Sequence, residues 1–299
     1  MDPQWDDMRI FLAVARTESL SGAGRELKVD PATVGRRIAR LEEALGTPLF
    51  AKSPQGYAPT DAGQRLFAHA ERAEQAMEGA VEEIAGTSGQ LSGQIRIGAP
   101  DGCATFILPQ VCAKISETNP DLDIQIVSLP RVFNLTKREA DLAIGVSQPT
   151  AGRLSVQKIT DYTLSLVGAR NYLKNHNPIG SPEDLADHKI VGYIPDMIFD
   201  KELDYLSAMG IERVALASNS VSVQMAWIRQ GNGLGIVHDF AAAPFMRRLV
   251  RILPDQFSLT RSFYLIRHQD DRRLERMNRF TEALVSGIRN EVSRLQSET

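Results

Sequence analysis

The sequence predicts an α/β chain headed by an all-α winged helix-turn-helix. Residues 5–50 carry helical apolar spacing almost without a break. A heptad helix follows, and beyond Gln94 short apolar runs alternate with helical stretches. Such alternation implies a mainly parallel α/β sheet. A chain of 299 residues exceeds one ordinary core, so about two domains are expected. The expected divisions are a DNA-binding domain over 1–63, a linker helix and hinge over 64–93, and an α/β body over 94–299.

Met8, Phe11, Leu12 and Ala15 mark the inner face of a first helix. Ser19 or Ser21 caps a second helix, whose inner residues are Ala23 and Leu27, and Val29 closes the turn. Asp30 followed by Pro31 is a strong helix start, an N-cap carboxylate before the residue best tolerated at the first helical position. Gly46 ends that third helix. One side of it carries Val34, Ile38, Leu41 and Leu45, and the other carries Arg36, Arg37 and Arg40. A helix apolar on its docked face and basic on its free face is what a DNA-reading helix-turn-helix needs. Pro31, Ala32 and Thr33 lie at its N-terminus, the end that enters a major groove. The Pro- and Gly-rich stretch from Pro48 to Gly63 reads as a β-wing bearing Lys52 and Tyr57.

Next, Leu66, Ala70, Ala73, Met77, Ala80 and Ile84 recur at alternating spacings of four and three. This is a heptad seam, mostly alanine, so a partner helix can approach closely. The Gly/Ser-rich stretch over 86–94 reads as a flexible linker. Beyond it, strands are expected at 95–97, 124–129, 142–146 and 156–168, then at 190–193, 214–217, 235–238 and 262–267. The late strand at 262–267 can return to the first set. An amphipathic helix from Leu274 to Leu295 packs back on the body.

Composition narrows the function. With 34 basic and 37 acidic residues the net charge is -3, so any nucleic-acid contact is a local patch. Two cysteines, Cys103 and Cys112, are too few for a disulfide scaffold and fit a reducing compartment. The N-terminal MDPQWDDMRIF lacks the apolar segment of a secretory signal, and no run is long enough to span a membrane. A cytoplasmic location is therefore expected.

Phe11, Val14, Ser19, Ala23, Leu27, Val29, Val34, Arg36, Ile38, Leu41-Glu42, Leu45-Gly46, Leu49-Phe50, Thr60 and Ala62-Gly63, at this spacing, resemble the LysR-type transcriptional regulators. Weaker echoes continue through Gln94 to Gly98, Leu108-Pro109, Asn119-Pro120, Asp141 to Ile144 and Gly231 to Ile236, so the resemblance spans the chain. It implies a linker helix that dimerises and a two-lobed effector domain similar to periplasmic binding proteins. It also implies a double-stranded DNA operator, a homodimer or homotetramer, and a small-molecule effector between the lobes. RNA polymerase is a possible further partner. No cofactor is implied beyond an unidentified small-molecule co-inducer. The expected DNA contacts are Pro31, Ala32, Thr33, Arg36, Arg37, Arg40, Lys52 and Tyr57. The expected effector contacts, on loops at the ends of strands and starts of helices, are Asp101, Cys103, Thr105, Ser128, Arg131, Ser147, Ser218 and His238. Thr105 and nearby amides suit a carboxylate ligand, whereas Asp101 opposes one or favours an amine. In the family a hydroxyl residue stands at the position of Gly35, and Leu-Pro at that of His238-Asp239.

Two other readings stay open. Cys103 near a helix start could have a depressed pKa and make the chain a thiol-redox sensor. An enzymatic or ligand-binding domain fused to a helix-turn-helix is the remote rival. Ser155 to Lys158 matches S-x-x-K but without its partner motifs, and Gly231 to Gly235 precedes a strand instead of following one. The five histidines show no metal-ligand spacing, and catalysis is not expected.

Overall fold

The computed structural model describes residues 3–53, 56–84, 90–128, 140–149, 154–207, 210–211, 213–269 and 274–297. Contacts divide the chain into two compact units, Met1–Gly89 and Gln90–Thr299.

In the first unit, α1 (Trp5–Thr17), α2 (Leu20–Leu27) and α3 (Pro31–Leu45) enclose a core of Phe11, Leu12, Val14, Ala23, Val34, Ile38 and Leu41. The turn between α2 and α3 forms because Lys28 takes a left-handed φ of 55° and the Val29 N–H reaches the Gly24 carbonyl at 2.8 Å. Gly24 has no room for a side chain, since a Cβ there would lie 2.6 Å from the Val29 oxygen. At Asp30, Oδ1 accepts from the Ala32 N–H at 2.8 Å and the Thr33 N–H at 3.4 Å, so the expected cap is made. Ser19, not Ser21, caps α2, accepting from the Gly22 N–H at 3.2 Å.

The wing is β1 (Phe50–Ser53) antiparallel to β2 (Gly56–Pro59), with Lys52 opposite Tyr57. Glu42 Oε1 ties it to α3 by accepting from the Leu49 N–H at 2.7 Å and the Phe50 N–H at 3.2 Å. Then α4 (Asp61–Ile84) follows. Its first turns dock through Leu66, Phe67 and Ala70, and Arg16 of α1 holds Glu74 at 2.6 Å.

The second unit contains, among the described residues, a nine-stranded sheet. One parallel set is β3 (Gly93–Ala99) between β4 (Leu122–Ser128) and β5 (Leu142–Gly145). The other is β7 (Ile190–Gly192) between β8 (Leu216–Ala217) and β9 (Leu234–His238). These are two lobes, joined by β6 (Leu154–Ala169) and β11 (Ser258–His268), which pair antiparallel along their length. The early part of β6 and the late part of β11 belong to the first lobe. There β11 pairs β5, whereas the end of β6 pairs β9 in the second. A register shift between Phe263 and Tyr264 falls where β11 gains β5 as a second partner. The late strand thus returns to the first set as expected. The expectation of a mainly parallel sheet is corrected to a mixed one, because both connecting strands run antiparallel to their neighbours. A short strand, β10 (Leu249–Arg251), pairs β6 and was not expected.

Helices cover the sheet. In chain order they are α5 (Asp101–Phe106), α6 (Leu108–Thr118), α7 (Arg170–Lys174), α8 (Val221–Gln230), α9 (Asp239–Ala242) and α10 (Glu275–Ser297). The amphipathic face of α10, with Phe280, Leu284 and Ile288 fully buried, packs on α6 and β6. Gly287 permits the close crossing, since a Cβ there would lie 2.5 Å from Val111 Cγ1. Among the described residues no helix is long and apolar enough to cross a membrane.

Gly24→Ala should destabilise the first unit by about 1–3 kcal/mol through overpacking against the Val29 carbonyl. A thermal melt followed by helix signal checks this, and an unchanged midpoint would refute the close-approach argument.

Candidate nucleic-acid interface and ligand cleft

The exposed end of α3 is formed by Pro31 and Ala32, with Thr33 half-buried behind them and Arg36 exposed. Arg36 donates to Thr33 Oγ1 at 2.9 Å, which lays its guanidinium along the first turn. Among the described residues it makes no ion pair with a carboxylate.

The other two arginines behave differently. Arg40 holds Asp7 of α1 through two bonds, to Oδ1 at 2.5 Å and Oδ2 at 2.8 Å, and donates to Gln4 at 3.1 Å. Arg37 lies 3.5 Å from Asp7 and 3.6 Å from Asp6. Asp7 is 2% exposed, and a carboxylate so buried is tolerable only when paired. Of the three arginines expected on the free face, Arg37 and Arg40 are thus ion-paired with the first turn of α1. Arg37 and Arg40 neutralise the first turn of α1 and fix the angle at which α3 is presented, while Arg36 faces outward.

In the wing Lys52 is exposed. Tyr57 is half-buried, edge-on to Phe50 at 5.9 Å, and its N–H bonds the Glu18 carbonyl at 2.9 Å. Its ring supports the wing as much as it could reach a ligand. Gly35 is half-buried, and a Cβ there would make an ordinary contact with Leu20 of α2 at 3.4 Å.

Along the heptad seam, Leu66 and Ala70 are used inside the unit, whereas Ala73, Met77 and Ala80 are exposed. Met77 is 54% exposed. The side chain of Ile84 lies outside the described residues.

Several of the expected effector residues lie where the two lobes meet and hydrogen-bond to each other. Asp101 begins α5 in the first lobe and reaches α8 in the second. Its Oδ2 accepts from Ser220 Oγ at 3.2 Å and from the Ser222 N–H at 3.3 Å. Its Oδ1 accepts from Ser128 Oγ at 3.4 Å. Thr105 is exposed and takes a bond from Ser222 Oγ at 3.3 Å. Ser147 donates to Asp200 Oδ2 across the lobes. Ser218 is buried beside the α8 start, its Oγ accepting from the Ser220 N–H at 3.1 Å. Arg131 lies outside the described residues.

His238 is buried at the end of β9, and burial lowers its pKa to about 3, so the imidazole is neutral. Its Nε2 lies 3.4 Å from the Tyr205 hydroxyl, and its Nδ1 has no hydrogen-bond partner. The ring sits under the Asp101–Gly102 turn, with Nδ1 3.2 Å from where a Gly102 Cβ would be.

Cys103 does not line the cleft. It is fully buried, and burial raises its thiol pKa far above the ordinary value, contrary to the depression expected at a helix start. Cys112 is also buried and pushed up to about 11 by burial. Desolvation outweighs what the six-residue α5 could offer, and neither thiol is poised for oxidation.

Sequence reasoning missed Asp7, Asp200, Ser220 and Ser222. The SNS run before α8 is a capping signal that could have flagged Ser220, whereas Ser222 lies within the helix. Asp200 lies in a stretch of short turns, Pro195–Met197 and Lys201–Leu203, with no periodicity to read. The other rival motifs are structural. Lys158 pairs with Asp161 on β6 at 2.7 Å, and Gly231 is the left-handed C-cap of α8 at φ 79°.

Comparison with known proteins agrees with this geometry. Residues 5–64 match the family described as bacterial regulatory helix-turn-helix protein, lysR family, and residues 88–289 match the LysR substrate binding domain. The chain is 26% identical to the HTH-type transcriptional regulator PtxR of Pseudomonas aeruginosa, over 82% of this chain and 80% of PtxR. It is 25% identical to the HTH-type transcriptional activator TtdR of Escherichia coli, over 85% and 84% of the two chains. The solved structure of CrgA, a LysR-type transcriptional regulator from Neisseria meningitidis, matches with a TM-score of 0.59 at 22% identity, covering 95% of this chain and 98% of that one.

The buried neutral His238 makes a pH prediction. The unfolded chain takes up a proton near the ordinary histidine pKa of about 6.5, whereas the folded one resists until about pH 3. Stability from this residue is therefore full above about pH 6.5 and falls as pH drops through the window, by up to about 4–5 kcal/mol. In acid titrations of the folded chain, His238→Gln should unfold at lower pH than wild type. An unchanged acid midpoint would remove His238 as the cause.

Proposed function

Because the chain belongs to the LysR family of bacterial transcriptional regulators, we propose that it reads an operator with the exposed start of α3 and answers to a small molecule held between its lobes. The observation that carries the first part is the capped, outward-facing turn bearing Pro31, Ala32, Thr33 and Arg36. Asp30 directs its carboxylate at the backbone amides of the first turn of α3. Ala32 and the Thr33 methyl suit thymine methyl groups, and Arg36 suits guanine or a phosphate. Lys52 in the wing adds a backbone contact. Arg37 and Arg40 act indirectly, by holding α3 against α1.

One helix-turn-helix buries little DNA surface, so the working unit is a dimer or a pair of dimers reading repeated half-sites. The exposed Ala73, Met77 and Ala80 are the contact, because small residues let two α4 helices approach closely. The effector site is the cleft walled by Asp101, Thr105, Ser128, Ser147 and Ser218. Binding there changes the relation of the lobes about β6 and β11, and RNA polymerase is the partner that reads the outcome. The protein works in the cytoplasm as a binding protein and needs no cofactor or catalytic step.

Arg36→Ala should weaken operator binding and reduce the salt slope by about 1 if the contact is to phosphate. Titrations at several salt concentrations in which neither quantity moves would refute the assignment. Met77→Glu should place like charges across the α4 seam and shift the protein toward monomer. Sedimentation showing an unaltered assembly state would move the interface elsewhere.

A further inference from the structure

The second lobe holds a cavity of about 440 Å³ whose described walls all fall between Val191 and Ile236. Strands β7 and β9 contribute Val191 and Ile236, and the turns after β7 contribute Ile198 and Phe199. Ile198, Phe199, Leu206 and Ile211 pack against the core yet stay half-buried. Protein interiors leave few voids larger than a water molecule, so apolar side chains left half-covered around such a space are available to a ligand. Small-molecule sites have volumes of this order and the same mostly apolar lining with a few placed polar groups.

Two further features say what fits. Tyr193 and Tyr205 both line the cavity and meet edge to face, with ring centroids 5.9 Å apart at 67°. Such a corner suits a third flat ring. Gln224 of α8 also lines the cavity and is only 2% exposed. Its amide meets the Ser218 carbonyl at 2.7 Å. A carbonyl only accepts, so the amide nitrogen faces Ser218 and Oε1 is the atom left over. Among the described residues no donor meets that Oε1.

The carboxylates on the wall are already engaged. Asp200 accepts from the Glu202 N–H at 2.9 Å and from Ser147, and Asp204 accepts from the Ser207 N–H at 3.1 Å. The deeply buried polar group is thus a neutral amide, and an ion brought against it would lose its water without gaining a counter-charge. An apolar cavity of about 150 Å³ holds one benzene, so this larger space suits two or three fused rings.

We propose that this cavity is a binding site for a neutral fused-ring aromatic of two or three rings, held by an N–H or O–H donated to Gln224 Oε1. The site adjoins the lobe junction through Asp200, which Ser147 of the first lobe bonds. It does not depend on reading that junction as the effector site.

The test uses the full chain in thermal melts and calorimetric titrations. The probes are indole and 2-naphthol, 1-methylindole without the donor, and 2-naphthoate and tryptamine as charged counterparts. Indole or 2-naphthol should raise the melting temperature by several degrees at saturation. 1-Methylindole should bind about 5-fold more weakly than indole. In Gln224→Met, which keeps the side-chain length and removes the acceptor, that difference should shrink below about 2-fold. Both probes are read on the same variant, so a loss of stability cancels. Ile198→Trp and Val214→Phe fill the cavity from separate segments, and each should weaken indole by about 10-fold or more. Thr105→Trp, where the lobes meet, should leave indole affinity within about 2-fold. Failure of both donor-bearing probes to bind wild type overturns the proposal. Binding that survives both filled variants but is lost in Thr105→Trp puts the ligand at the lobe junction and overturns it as well. Equal affinity for indole and 1-methylindole in wild type, or a difference retained in Gln224→Met, overturns the hydrogen bond to Gln224. Tighter binding of 2-naphthoate or tryptamine than of their neutral counterparts overturns the choice of a neutral ligand.

Discussion

Both lobes of the larger unit depend on one antiparallel ladder. The parallel strands β3, β4 and β5 make one small set, and β7, β8 and β9 make another. Neither set closes its inner edge unaided. β6 and β11 supply that edge to both at once, pairing each other from Leu154–His268 to Ser165–Ser258. Backbone N–H and carbonyl groups that would otherwise be left open are satisfied by the shared pair. The two lobes hang on two shared strands, so any change in their relation is carried by this ladder. The register shift between Phe263 and Tyr264 sits at the changeover.

The smaller unit is governed by a different constraint, the burial of Asp7. Its carboxylate is nearly closed off from water at the first turn of α1, and Arg40 and Arg37 balance its charge. Removing one partner from such a group costs more than the pair itself contributes. The consequence for function is indirect. Two of the three arginines on α3 are committed to orientation, which leaves Arg36 and the small residues of the first turn to face outward.

Between the lobes, polar side chains form direct bridges. Asp101 crosses to Ser220 and Ser222, and Ser147 crosses to Asp200. These are neutral donors meeting carboxylates. The buried thiols lie behind this surface and take no part in it.

The helices of the smaller unit, their caps, the wing and most strands of the larger one were legible in the sequence. Asp30-Pro31 and Gly46 mark the ends of α3 by interactions that span a few residues, and apolar spacing of two or three to four marks each buried face. The sequence by itself also determined the family, because the spacing of its core and turn residues is local. It could not decide which arginine faces outward, since Arg40 finds Asp7 33 residues away. Nor could it show that Asp101 fills the start of α8, a partner 119 residues distant at Ser220, or that Ser147 meets Asp200 53 residues further on. It misjudged Cys103 and the strand directions for the same reason. Burial, pairing and exposure are set by what folds back against a residue, and only the tertiary structure supplies that neighbour.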